Sequence, residues 1–177
     1  MGQTIETVIE KRIQKTIRPL THQDGDALYS LQRANQDFYD LFLDHHLTKR
    51  EAVNDLDEKP MNSAAGQKHY LGIFDGETLV ATLDLVVDYP LPQVVWIGQF
   101  MWRPQTVSST TAKRWLAAVL ETLRELETVQ VQLLVLDRDV KAQKFWPALG
   151  FSAVQKTQTM VMEQPISATI YQLNMLR

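Results

Sequence analysis

The sequence contains no cysteine and only seven glycines, and each shortage limits what the protein can do. Without cysteine, the chain has no disulfides, thiolate metal ligands or cysteine nucleophile. None of the glycines lies between Gly98 and Gly150, although loops that surround a phosphate group usually contain them. A phosphate site in that part of the chain would have to be built without glycine.

The chain also lacks a strong net charge and a long apolar run. A net charge of -3 and a pI near 5.8 give no electrostatic reason to bind nucleic acid or an anionic membrane surface. No apolar run approaches the ~20 residues that span a bilayer, and the N-terminal segment lacks the apolar core of a signal peptide. We therefore expect a cytoplasmic enzyme or binding protein that contacts neither nucleic acid nor membrane.

Length and composition are those of one globular domain. Of 177 residues, 45% are hydrophobic and 22% are charged, which is near the average for folded proteins and sufficient for one core. Near the N-terminus, apolar residues recur at helical spacing: Ile5, Val8, Ile9 and Ile13. This spacing predicts an amphipathic extension over residues 1–15, followed by a single domain over residues 16–177.

The order of predicted elements indicates a mixed sheet. Alternating apolar residues predict strands, and apolar residues every three or four positions predict helices. In chain order the predicted elements are a strand at 15–21, a helix at 26–42 with a break near Asn35 to Asp37, a short helix at 48–58, strands at 69–74, 78–90 and 94–102, a long helix to Leu126, a strand at 129–136, a helix at 139–149, and strands at 151–162 and 168–176. We expect an α/β (α+β) fold with a mixed, mostly antiparallel sheet of about seven strands and helices on both faces.

Short motifs mark the ends of several elements. Asp75-Gly76 is a typical hairpin turn, and Thr48 with Glu51 has the spacing of a capping box. Gly150 stands where a left-handed residue would end a helix. The last two strands are expected to form a hairpin joined through Glu163 to Ser167.

The segment from Val94 to Leu126 is the expected ligand site. It reads as a buried strand, a polar turn and a long amphipathic helix, with core positions at Trp115, Leu116, Val119, Leu120 and Leu123. Ligands of α/β proteins collect where a strand ends and a helix begins, because free backbone N–H groups and the helix dipole attract anions there. The turn is therefore a candidate anion site.

A specific pattern follows the last buried strand. Asp139, Ala142, Phe145-Trp146 and Leu149-Gly150-Phe151 fall on the pattern N-x-x-A-x-x-F-[YW]-x-x-x-G-F, with aspartate at the asparagine position. With the element order, the meander LGIFDGETLVATLDLVVDYP and the strand VVWIGQFMWRP, this pattern makes the chain resemble the GNAT N-acetyltransferase superfamily, in its bacterial branch. The resemblance extends from Thr16 nearly to the end of the chain.

The resemblance implies a GNAT-like acyltransferase fold and transfer of an acetyl group from acetyl-CoA, as co-substrate, to a primary amine by direct attack in a ternary complex. In that family the fourth and fifth strands separate, the pantetheine arm lies between them, and the turn after the fourth strand surrounds the pyrophosphate. The expected acetyl-CoA contacts are Gln99, Phe100, Met101, Val107, Ser108, Ser109, Thr110, Thr111, Ala112, Lys113, Asp139, Phe145 and Trp146.

The expected pyrophosphate loop departs from the family pattern [QR]-x-x-G-x-[GA]. Val107 stands at the basic or amide position and Thr110 at the first small residue, while Ala112 agrees. Hydroxyl groups in this loop could replace the missing contacts, and Lys113 and Arg114 would oppose the helix dipole unless an anion binds. Alternatively, the turn is an ordinary capped helix start with both cations solvated.

Candidate catalytic residues are Asp84 and Trp146. The attacking amine must lose a proton, and Asp84, Asp88 and His69 are candidate acceptors. Many family members carry a tyrosine that protonates the leaving thiolate, and Trp146 stands at that position. An indole N–H donates hydrogen bonds without giving up its proton, so Trp146 also fits a core position.

Three functions remain open from the sequence. They are an active N-acetyltransferase acting on a small-molecule or peptide amine, a weakened or inactive GNAT-fold module that binds CoA, a metabolite or a protein partner, and an unrelated α/β protein. Asp44-His45-His46 resembles a metal cluster, but adjacent histidines point to different sides of a helix, so we expect no metal site. The N-terminal segment and the terminal hairpin are candidate surfaces for a homodimer.

Overall fold

Seven strands run through residues 2–176, the part of the chain that the computed structural model describes. They are β1 (Thr16–Pro19), β2 (Lys68–Asp75), β3 (Thr78–Val87), β4 (Val94–Trp102), β5 (Gln130–Leu136), β6 (Ser152–Val161) and β7 (Gln164–Asn174). Their order in the sheet is β1-β2-β3-β4-β5-β7-β6. The β4–β5 pair is parallel and the other neighbouring pairs are antiparallel, so the predicted mixed sheet is confirmed.

Helices cover both faces of this sheet. They are α1 (Ile5–Ile13), α2 (Gly25–Arg33), α3 (Gln36–Tyr39), α4 (Lys49–Asp55), α5 (Ser109–Glu125) and α6 (Val140–Phe145). Helices α1, α5 and α6 pack on one face, and α2, α3 and α4 pack on the other. Between residues 2 and 176, no helix has both the length and the apolar character needed to cross a bilayer.

The longest helix, α5, forms the centre of the larger core. Its predicted core positions are all buried: Trp115, Leu116, Val119, Leu120 and Leu123. Helix α1 adds Ile5 and Ile9 to the same core, and Arg12 at its end pairs with Glu125 at the end of α5. Residues 4–14 therefore pack onto the helix whose first turn is the expected anion site.

A break separates α2 from α3, as the sequence predicts. The Asn35 side chain donates hydrogen bonds to the carbonyls of Leu31 and Trp102, both at 3.0 Å. The first contact competes with helical hydrogen bonding. The second attaches the break to the end of β4, so this turn is fixed against the sheet.

The expected motifs form where the sequence places them. In the capping box of α4, Glu51 N–H donates to the Thr48 hydroxyl and Thr48 N–H donates to the Glu51 carboxylate. Gly76 and Gly150 both have positive φ, at 60° and 96°. Helix α4 ends at Asp55 rather than near Glu58, because the amides of Leu56 and Asp57 bond three residues back and close the helix with a tighter turn.

The turn of the last hairpin differs from the prediction. Strand β7 begins at Gln164, so the expected connection from Glu163 to Ser167 is wrong and most of it is strand. The two residues between the strands, Met162 and Glu163, have φ values of 50° and 61°. A two-residue turn with both φ values positive matches the twist of the strands, but neither residue type signals it.

The docking of α1 leads to a stability prediction. Ile9 is fully buried in the main core, so Ile9→Ala should lower the free energy of unfolding by about 2–5 kcal/mol. Urea denaturation followed by circular dichroism measures the change. Lys11→Ala, at an exposed position of the same helix, is the matched control and should change it by less than about 0.5 kcal/mol. If Ile9→Ala changes the free energy of unfolding as little as Lys11→Ala does, α1 does not contribute to the stability of the core.

Candidate active site

The two parallel strands separate halfway along β4. Residues Val94–Ile97 of β4 pair with Gln130–Leu133 of β5, and the register stops there. At the same point the β3–β4 ladder skips one residue, because Asp84 pairs with Gln99 and Leu85 pairs with Ile97. Gly98 is the extra residue, and a bulge of this kind bends its strand. The second half of β4 therefore leaves β5 and opens a gap.

Backbone groups of β4 face this gap. The amide of Arg103 donates to the carbonyl of Val80 on β3 at 2.8 Å. Because peptide groups alternate in direction along an antiparallel strand, those of Phe100 and Trp102 point the other way, toward the gap. The contact of Asn35 with the Trp102 carbonyl is consistent with that direction. The second half of β4 is thus a short sheet edge that an extended, amide-containing ligand can pair with.

Three half-buried aromatic side chains line the gap on the α5 side. The rings of Phe100 and Trp102 lie 5.5 Å apart, and Phe145 of α6 lies 5.2 Å from Trp102. The Lys113 ammonium is 5.9 Å from the centre of the Phe145 ring. These contacts bring together three of the expected acetyl-CoA contacts, Phe100, Lys113 and Phe145, with Trp102, which the sequence analysis does not select.

The other α6 residues have local structural roles. Trp146 is buried against Phe151, with ring centres 5.3 Å apart, in the main core. The Asp139 carboxylate caps α6 by accepting the amide of Ala142 at 3.1 Å. The structure therefore places Trp146 in the core, and the Asp139 carboxylate uses one of its oxygens to cap the helix.

The loop before α5 forms a capped helix start with exposed side chains. Ser108 is the N-cap, and its hydroxyl accepts the amide of Thr111 at 3.1 Å. Ser109 and Thr110 are exposed, and the first amides of a helix have no partner within it. The side chains of the other two loop positions, Val107 and Ala112, are buried in the main core and are not available to a ligand.

A cavity of about 380 Å³ adjoins the first turn of α5 on the α1 side. Thr106, Thr111 and Arg114 line it together with Lys15 and Asp75. Lys15 pairs with Asp75 at 3.2 Å. Lys113 and Arg114 thus point to different sides of α5, with Lys113 toward the gap.

The opposite face of the sheet carries a polar row at the level of the bulge. Tyr70, Asp84 and Gln99 are neighbours on β2, β3 and β4 in the sheet register. A β-carbon at Gly98 would lie 2.4 Å from Asp84 Oδ2, so glycine leaves the space that this carboxylate occupies. Met101, on the same face as Gln99, is buried in the smaller core between the sheet and the α2–α4 side.

Asp84 is paired with a lysine in a largely buried setting. Lys68 Nζ donates to Asp84 Oδ2 at 2.9 Å, and the two side chains are only 9% and 10% exposed. Burial raises the pKa of Asp84 to about 6, and the positive charge of Lys68 limits the rise. A carboxylate with this pKa can accept a proton near neutral pH.

A hydrogen-bonded network above this row is not predicted by the sequence. The hydroxyl of Tyr70 lies 2.6 Å from Asp55 Oδ2 and 3.0 Å from the side-chain oxygen of Gln99, and Gln32 donates to the same Asp55 oxygen at 3.1 Å. Gln99 also contacts the Tyr39 hydroxyl at 3.4 Å. Burial raises the pKa of Asp55. The one available signal is that Lys68 and Tyr70, two residues apart, share a strand face.

The other two proton-acceptor candidates lie away from the bulge. His69 is on the opposite face of β2, where Nδ1 contacts Glu6 of α1 at 3.2 Å. Asp88 follows β3 with a φ of 53° and accepts the amide of Gln93 at 2.8 Å. Of the three candidates, the structure places Asp84 beside Gly98.

The segment from Asn35 to Leu41, which we call the strap, connects the two sides of the gap. Asn35 binds the end of β4. On the other side, Asp37 pairs with Lys141 of α6 at 2.7 Å, and the carbonyl of Leu41 accepts Arg138 at 3.2 Å. The strap therefore spans the open end between β4 and α6.

The fold matches solved acetyltransferase structures. An acetyltransferase from Thermus thermophilus is 18% identical, with a TM-score of 0.73 over 89% of this chain and 95% of that chain. The ribosomal-protein-S18-alanine N-acetyltransferase from Escherichia coli is 13% identical, with a TM-score of 0.63 over 91% and 94%. The PaiA N-acetyltransferase from Thermoplasma acidophilum, in complex with coenzyme A, is 15% identical, with a TM-score of 0.61 over 89% and 97%.

No protein-family model and no curated protein matches the sequence. At these identities the structural likeness shows the fold alone. The chain has the GNAT acetyltransferase fold, as the sequence pattern predicts.

The Lys68–Asp84 pair leads to a titration prediction. Lys68→Met removes the positive charge that limits the shift, so the pKa of Asp84 should rise above its value of about 6. Carbon-13 NMR of the labelled aspartate carboxyl groups measures it. Lys59→Met is the matched control, because Lys59 donates to the carbonyl of Ser63, and the midpoint should not move. An unchanged midpoint in Lys68→Met would mean that the ion pair does not control Asp84.

Proposed function

We propose that the protein is an acetyl-CoA-dependent N-acetyltransferase that transfers an acetyl group to the primary amine of a small molecule or peptide in a ternary complex. The main observation in support is the coincidence of three features at one level of the sheet. These are the separation of β4 from β5, the bulge at Gly98, and the buried Asp84 carboxylate against that bulge.

The gap suits the extended arm of CoA. The arm contains two amide groups, which can pair with the peptide groups of Phe100 and Trp102 along the free edge of β4. The rings of Phe100, Trp102 and Phe145 supply apolar contacts on the same side. The arm would take the position of an added strand between β4 and β5.

The first turn of α5 suits the pyrophosphate. The first amides of a helix have no partner within the helix and attract anions. The exposed hydroxyl groups of Ser109 and Thr110 add donors, and Lys113 adds a positive charge on the gap side. These groups replace the contacts that glycines make possible in other phosphate loops.

The chemistry requires few protein groups. Asp84 accepts a proton from the acceptor's ammonium, and the free amine then attacks the thioester carbonyl. A backbone N–H beside the bulge stabilises the developing oxyanion, the C–N bond forms, the C–S bond breaks, and the second proton of the attacking nitrogen passes to the leaving thiolate. Since a thiol with a pKa of about 8.5 leaves readily as the thiolate, the reaction does not need an acid at Trp146.

A second candidate is a weakened or inactive module that binds CoA or another ligand. It is favoured by the loop without glycine. Such a module would bind CoA and release no thiol with any amine. Calorimetry with CoA and thiol release over an amine panel separate the two functions.

The donor site can be tested by charge reversal. Replacing Lys113 and Arg114 by glutamate should weaken CoA binding by tenfold or more, because a hydrogen bond to a charged group contributes about 1.5–3 kcal/mol. Calorimetry measures the affinity. Arg50→Glu is the control: it reverses one positive charge in the exposed first turn of another helix, α4, and should leave the CoA affinity unchanged. Unaltered CoA affinity in the double variant would make the turn a simple capped helix start.

The proton acceptor can be tested by a rate profile. The rate should rise with pH through about 6, because Asp84 must be ionised to act as a base. Asp84→Asn should lower kcat by about 10²–10⁴-fold and remove that pH dependence, with CoA affinity retained. Asp88→Asn, in the connection after β3, should keep both kcat and its pH dependence. If Asp84→Asn keeps the profile of the unaltered enzyme, another group accepts the proton.

A further inference from the structure

The face of the sheet below α4 holds more negative than positive charge. Asp55, Glu58 and Asp84 influence one another electrostatically, and Lys68 is the cation that acts on all three. We call these four residues the acidic cluster. At its rim, the cation Lys59 is bonded to a backbone carbonyl. An added cation would lower the electrostatic energy of the cluster.

Two buried oxygen atoms beside the cluster have no hydrogen-bond partner. They are Asp84 Oδ1 and Thr82 Oγ1. Thr82 is completely buried, and the Asp84 side chain is 10% exposed. The two residues lie two positions apart on β3, so they share a face. A buried polar atom without a partner destabilises the fold, and the N–H groups of a ligand that displaced the side chains covering these atoms would satisfy both oxygens.

The cluster already holds one alkylammonium group. Lys68 Nζ lies 2.9 Å from Asp84 Oδ2 and 5.1 Å from the centre of the Tyr70 ring. A carboxylate and an aromatic ring are the usual partners of such a cation. The second oxygen of Asp84 remains for another cation of the same kind.

Tyr70 relates the buried Asp84 carboxylate to the half-buried Asp55 carboxylate in space. Its Cα is paired with that of Asp84 in the sheet, and its hydroxyl reaches Asp55. Asp55 and Asp84 are therefore separated by about the length of one tyrosine side chain. Glu58 lies farther out and is exposed. A second cation attached to the first by a short alkyl chain would reach these outer carboxylates.

We propose that the amine acceptor is a short aliphatic diamine or polyamine. Its reacting ammonium donates to Asp84 Oδ1 and Thr82 Oγ1, and its second ammonium faces Asp55 and Glu58. This inference rests on the acceptor role proposed for this face of the sheet. An amine whose other end is a carboxylate is disfavoured, because Asp55 and Glu58 repel it.

Binding of three matched amines tests the inference without CoA. The probes are 1,4-diaminobutane, butylamine and 4-aminobutyrate, which share a four-carbon chain and differ in the charge at its far end. Calorimetry near pH 7.5 should show that the diamine binds about twofold to fivefold more tightly than butylamine, the effect of one added ion pair with an exposed carboxylate. 4-Aminobutyrate should bind most weakly. Equal binding of the diamine and butylamine, or tighter binding of 4-aminobutyrate, would overturn the inference.

Variants locate the two ammonium groups. Glu58→Gln should reduce the preference for the diamine over butylamine, because only Asp55 then faces the second ammonium. Asp57→Asn, at an exposed position that pairs with His22, should leave both affinities unchanged. Thr82→Val should weaken the binding of both the diamine and butylamine. Thr82→Ser keeps the hydroxyl and should bind both as the unaltered protein does. Melting temperatures confirm that each variant folds. If both Glu58→Gln and Thr82→Val bind as the unaltered protein does, the site lies elsewhere.

An acetylation assay with the same amines separates this inference from the proposed function. Diamine binding without CoA binding or thiol release would refute the acetyltransferase and keep the diamine site. Transfer to 4-aminobutyrate at a higher kcat/KM than to the diamine would refute the diamine acceptor and keep the acetyltransferase. Preferred transfer to the diamine would support both.

Discussion

The contact between the Asp84 carboxylate and the backbone of Gly98 joins the geometry of the sheet to its electrostatics. A side chain at position 98 would occupy the space of Asp84 Oδ2, so the bulge and the buried carboxylate depend on each other. The bulge coincides with the point where β4 leaves β5. Because one residue serves both purposes, the ionisable group lies beside the opening of the gap.

The buried carboxylates also explain the arrangement of the polar side chains around them. Charges are costly to bury unless they are paired and hydrogen-bonded. Lys68 pairs with Asp84, while Tyr70 and Gln32 donate to Asp55. The remaining unpartnered oxygens lie on one face of β3. Hydrogen-bond partners are thus missing for Thr82 and Asp84, and Asp84 adjoins the bulge.

Much of the fold could be predicted because its signals are local. The Asp75-Gly76 turn, the capping box at Thr48 and the stop at Gly150 each act over a few residues. The turn at Met162 and Glu163 could not be predicted, because neither residue type favours the positive φ that it adopts. Its conformation follows from the pairing of β6 with β7.

The candidate site was only partly predictable for a different reason. Asp84 and the first turn of α5 lie in segments whose type is clear from periodicity, so the sequence indicates both. The Asp55 network joins residues from α2, α4, β2 and β4, and no spacing along the chain shows such a meeting. Burial of Val107 and Trp146 likewise depends on packing between distant elements. The roles proposed for the site residues stay predictions.

The strap gives the two halves of the gap a weak mechanical connection. Its contact with α6 consists of an ion pair between largely exposed side chains and one hydrogen bond to a carbonyl. Exposed ion pairs of this kind contribute about 0–1 kcal/mol and weaken as salt is added. The hold of the strap on the α6 side therefore depends on ionic strength, whereas the hydrogen bonds of the sheet on either side of the gap do not.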